Sequence, residues 1–88
     1  MKIKDGFIKT EIADKIVAIP VGANTVDFSG VIVLNETAAF LWDLMQTDTD
    51  KQALLKAVLN EYDTDEKSAL SDIDAFLQNL RDKDFLCE

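Results

Sequence analysis

Residues 35–88 contain neither glycine nor proline, whereas all three glycines (Gly6, Gly22, Gly30) and the single proline, Pro20, fall in residues 1–34. The first stretch is rich in Ile, Val, Thr and Phe, the second in Ala, Leu, Asp, Glu and Lys. β-Branched and aromatic side chains fit a pleated sheet, while Ala, Leu and long unbranched side chains lose little freedom in a helix. The partition therefore predicts strands first and helices second, an α+β arrangement. With 88 residues, there is room for one domain, spanning residues 1–88. A domain of that size buries only about 60–65% of the surface that its unfolded chain exposes.

Within the first part, FIKTEIA (Phe7 to Ala13) alternates, placing Ile8, Thr10 and Ile12 on one face and Phe7, Lys9 and Glu11 on the other. Asp14-Lys15 reads as a short turn into a second strand, IVAIP (Ile16 to Pro20). Pro20 donates no backbone hydrogen bond and suits a strand end. The segment VGANTVDFSG is a long connection, within which Val26 and Phe28 are spaced to lie on the sheet. VIVL, from Val31 to Leu34, forms a third strand. Consecutive short strands pair most economically as an antiparallel meander, which leaves the third strand at an edge.

Three helices follow. Asn35 is a good N-cap for the first, from Glu36 to about Gln46. Its core stripe reads Leu34, Ala38, Leu41, Trp42 and Met45. Thr49 and Gln52 have capping-box spacing ahead of a stripe of Leu54, Leu55, Val58, Leu59 and Tyr62. Asp63 and Glu66 repeat that spacing before a wider apolar face of Ala69, Leu70, Ile73, Phe76, Leu77 and Leu80. Phe40 falls off the first helical stripe, close to Leu44, and is open to either packing or partner contact.

Composition excludes much chemistry. Histidine is absent and Cys87 is the only cysteine, so the usual zinc, haem and iron–sulfur ligand sets cannot be assembled, nor Cys–His or Ser–His–Asp nucleophiles. Asp48-Thr-Asp50 and Asp63-Thr-Asp65-Glu66 lack the glycine and the terminal glutamate of an EF-hand loop and read as helix caps. The expectation is a protein that is not an enzyme and needs no cofactor. Nine Lys and Arg against seventeen Asp and Glu give a net charge of −8, which disfavours nucleic acid. No apolar run reaches the roughly 20 residues of a membrane span, and no apolar segment of a secretory signal follows the N-terminus. Cytoplasmic residence is expected, with Cys87 as an incidental reduced thiol.

Surfaces remain. VIVL carries neither charge nor proline, the usual protections of an edge strand. Such an edge serves packing, dimerisation through strand pairing, or capture of an extended peptide as an added strand.

The stretch LNETAAFLW (Leu34 to Trp42), preceded by a strand meander and followed by two helices ending in FLQNLRDKDFL, resembles the PqqD family. These are small proteins of pyrroloquinoline quinone biosynthesis and related modified-peptide pathways. The resemblance runs from about Phe7 to Leu86 and implies a winged-helix-like domain, with an N-terminal three-stranded antiparallel sheet followed by three helices. It implies a peptide chaperone that binds the leader of a ribosomal precursor peptide and presents it to a modifying enzyme, often a radical S-adenosylmethionine enzyme. Carried onto this sequence, the peptide-binding strand is Val31, Ile32, Val33 and Leu34, and the facing helix wall draws on Ile73, Phe76, Leu77 and Leu80. Asn35, Thr37, Ala38 and Trp42 match the family motif as cap and core. The alternatives are a scaffold or homodimerisation module and, less in keeping with the charge, a winged-helix DNA-binding regulator.

Overall fold

The computed structural model describes residues 1–22 and 31–87; Val26 and Phe28 lie outside them. The elements are β1 (Lys2–Ile3), β2 (Phe7–Ile12), β3 (Lys15–Pro20), β4 (Ile32–Leu34), α1 (Glu36–Leu44), α2 (Lys51–Glu61), α3 (Glu66–Asp82) and β5 (Leu86–Cys87). Strands β2, β3 and β4 form an antiparallel sheet in that order. The α+β meander expected from the sequence is thus present, with β4 at an edge.

The hairpin joining β2 to β3 turns on Ala13 and Asp14, not on Asp14 and Lys15. Ile12 pairs with Lys15, and both turn residues have positive φ, 51° and 68°. This is the backbone of a two-residue type I′ turn, whose twist matches that of the flanking strands. Ala13 lacks the short polar side chain that eases the left-handed conformation, so the turn is held by the strands on either side.

Alternation along the sheet sorts its two faces. Ala18, Ile32 and Leu34 join the core with Trp42, Leu54, Ile73, Leu77 and Leu80. Asn35 caps α1 as expected, its side-chain oxygen accepting from the Ala38 N–H at 2.8 Å. The other two caps fall elsewhere than the sequence spacing indicated. Asp50 caps α2 by accepting from Ala53 N–H at 2.8 Å, and Asp65 caps α3 by accepting from Ser68 N–H at 2.7 Å. That bond from Ser68, backbone first, holds the Asp65 carboxyl below its usual range. The cap's contribution is therefore present above the unfolded carboxyl pKa and lost as pH falls through the lower folded value.

The far end of α3 closes as a Schellman motif. Phe85 N–H donates to Leu80 C=O at 2.8 Å and Asp84 N–H to Arg81 C=O at 3.0 Å, with Asp84 at φ 61°. This reversal brings the buried Phe85 ring against Phe7, at a centroid distance of 3.9 Å, and edge-on to Trp42 at 6.5 Å. The chain then pairs β5 with β1 through Lys2–Cys87 and Ile3–Leu86, a ribbon with no counterpart in the sequence-based expectation. Ile3 N–H also donates to Met45 C=O at 2.9 Å, tying the ribbon to the end of α1.

Candidate functional site

Strand β4 is short because the chain enters α1 at once: Leu34 ends the strand and Asn35 caps the helix. Trp42, Leu41 and Met45 then seat α1 in the core, each at most 2% exposed. The helix thereby anchors the end of β4. Its principal neighbours are β3 and α1, whereas α3 packs chiefly on α1, α2 and β5. Between β4 and α3 lies an open cleft of about 200 Å³.

Val33 borders this cleft at the edge of the sheet, and Ala38 and Leu41 belong to its α1 side. The α3 side consists of Asp72, Ala75, Phe76 and Asn79, one stripe along the helix. Asn35 and Thr37 complete a polar rim at the mouth. The cleft is thus a mixed slot, apolar at Val33, Ala38, Leu41, Ala75 and Phe76 and polar at Asn35, Thr37, Asp72 and Asn79, beside a strand with no β-neighbour beyond it among the described residues.

The residues expected to form the site divide into two groups. Val33 (59% exposed) and Phe76 reach the cleft, and Val31, just before the strand, is solvent-facing. Ile32, Leu34, Ile73, Leu77 and Leu80 are no more than 3% exposed and belong to the core. The side chains of Ile32 and Leu34 are therefore closed to a partner, which leaves β4 its backbone and the Val33 side chain. On α3 the accessible wall is turned by one helical position from the expected apolar stripe, so that Asp72, Ala75 and Asn79 take the places of Ile73, Leu77 and Leu80. The sequence carried a signal for this shift: the family's helix wall was drawn from the most hydrophobic stripe, which the core had already claimed. Phe40 is also accounted for by packing, its ring meeting Tyr62 edge-on at 5.4 Å.

A second apolar surface lies on the opposite side of the sheet. Register places Ile8 beside Ile19, Thr10 beside Val17, and Val17 beside Val33. Val17 is buried without joining the helical core, flanked in the sheet by Thr10 and Val33. Ile8, Ile12, Val31 and Val33 are each more than 40% exposed around it. Charge divides in the same sense. Residues 1–34 hold four lysines and four carboxylates, so the whole net charge of −8 resides in residues 35–88. Among the described residues no group of three or more Cys, Asp or Glu is arranged to hold a metal ion. No described helix is long and apolar enough to cross a membrane.

Residues 20–86 match the family model of coenzyme PQQ synthesis protein D, PqqD. The chain belongs to that family. Its fold is similar to that of TbiB1, solved in complex with the TbiA(beta) leader peptide, with a TM-score of 0.74 and 23% identity over 98% of this chain and 94% of that one. Comparison with curated proteins finds no match.

Proposed function

We propose that this protein binds the leader segment of a ribosomally made precursor peptide as an added strand on β4 and presents it to a modifying enzyme, of the radical S-adenosylmethionine type, in the cytoplasm. The observation that carries this reading is the juxtaposition of an uncharged edge strand with an open cleft, in a chain of the PqqD family. Backbone groups of Val31–Leu34 supply hydrogen bonds, and alternate leader side chains enter the cleft towards Phe76, giving selectivity. The protein itself is non-catalytic in this reading: it has no histidine, and its cleft carries Asp72 as its one ionisable side chain. TbiB1, of similar fold, was solved in complex with a leader peptide, which supports a leader as the ligand.

The test is amide hydrogen exchange on the full chain, with and without each short peptide encoded beside its gene. One peptide should protect amides in β4 and shift those of Phe76 and Asn79. Protection confined to β2, or none with any such peptide, would sink the reading. The exposed apolar sheet face favours a second reading, a homodimerisation module. Sedimentation separates the two, because a tight dimer indifferent to every peptide belongs to the second.

A further inference from the structure

We infer that the leader carries a Lys or Arg two residues from the apolar side chain that fills the cleft, and that Asp72 selects it. This deepens, and rests on, the strand-addition reading. Four other carboxylates of the helical half are held in ion pairs. Asp43 pairs with Lys9 at 2.7 Å and Asp84 with Lys4 at 2.9 Å, while Asp74 meets Lys51 and Asp48 the amino group of Met1. Asp72 has no hydrogen-bond or ion-pair partner among the described residues, and its neighbours on the rim, Asn35, Thr37 and Asn79, are neutral.

Spacing supplies the second half of the inference. Asp72 and Phe76 stand about one helical turn apart, a rise of about 6 Å along α3. Alternate residues of an extended strand repeat at about 6.6 Å on one face. A peptide paired with β4 and running along α3 therefore places consecutive inward side chains opposite Phe76 and Asp72. Its outward side chains lie beside Val33 and continue the apolar outer face of the sheet, where β-branched and aromatic cross-strand neighbours are favoured. The ligand class is an extended segment, apolar on both faces, with one cation at a fixed offset from the buried anchor. Because the net −8 of the protein is confined to the helical half, its field draws the same cation towards the α3 side of the cleft.

The experiment is selection of a random 12-residue display library on the full chain and on Asp72→Lys, with Asp72→Asn as the milder variant. Position 72 is solvent-exposed, so both variants should retain the helical circular dichroism of the parent. The parent should enrich Lys or Arg two residues from a large apolar side chain. Asp72→Lys should keep the apolar anchor and exchange the cation for Asp or Glu. A selected cationic peptide should bind about fivefold more weakly to Asp72→Lys and about twofold more weakly to Asp72→Asn, in the range of exposed ion pairs. Enriched apolar anchors without a charge preference, or a preference unchanged by Asp72→Lys, would overturn this inference and leave strand addition standing. If no peptide is enriched, or if the enriched peptides leave β4 amides unprotected, both readings fall together.

Discussion

Strands β2 and β4 border the same three-stranded sheet on opposite sides, and the two edges are built differently. The β2 edge is six residues long and carries Lys9 and Glu11, with Lys9 tied by its ammonium to Asp43 of α1. Charge on an edge strand discourages further pairing, since an incoming strand must desolvate it. The β4 edge is three residues long, has no charged side chain, and faces the slot against α3. An edge without such protection persists where its exposed length is short and one approach is shaped by neighbouring elements. Length, charge and the adjacent helix together distinguish β4, the edge proposed to take the peptide, from β2.

Substitutions at five positions test that contrast, in order of expected effect. Val33→Pro puts a residue without an N–H into the middle of the proposed binding strand and should lower leader affinity by more than about 100-fold, read by calorimetric titration, with helical circular dichroism retained. Val33→Lys, at a solvent-exposed side chain, is the companion variant that disturbs the ladder less; unchanged affinity in both would refute the edge model. Phe76→Ala should cost about 3 kcal/mol in urea unfolding, because Phe76 is 6% exposed and serves core and cleft together. Asn35→Ala, which removes the cap at the junction of β4 and α1, should cost about 1 kcal/mol in the same measurement. Ala13→Asn should raise stability by about 0.5 kcal/mol, since Asn tolerates the positive φ of the hairpin better, and leader affinity should not move. The smallest effect is expected at the β2 edge: Ile12→Lys, at a residue 54% exposed, should stay within about 0.5 kcal/mol of the parent and bind leader equally well. Loss of binding there would show that the contrast between the edges is misdrawn.

Much of this architecture was legible in the chain. Asn35 ahead of Glu36 announced the start of α1, and Leu41, Trp42 and Met45 recurred at helical spacing to mark its buried side. Caps were legible in kind but not in position. The segments TDTD and DTDE each offer several competent oxygen acceptors within a few residues. Which one serves depends on where the first free N–H groups of the helix come to rest. For α2 that is set by the rotation that buries Leu54 and Val58, and it selects Asp50 over Thr49. The β1–β5 ribbon was invisible for a different reason: two residues at each end of the chain carry no periodicity, and they meet only because the Schellman turn after α3 sends Phe85 back towards Phe7.

By itself, the sequence determined the division into a sheet followed by helices, the uncharged character of VIVL, and the family motif that joins strand to helix. These follow from side-chain periodicity and backbone preference, which act between near neighbours along the chain. Tertiary structure decided which residues of that strand and of α3 remain accessible. Burial of Ile32 and Leu34 against the core turns Val33 outwards, and burial of Ile73, Leu77 and Leu80 leaves Asp72, Ala75 and Asn79, with Phe76, on the cleft wall. The core takes the most hydrophobic stripe of each element, so the surface left for a partner is set by packing between elements distant in sequence.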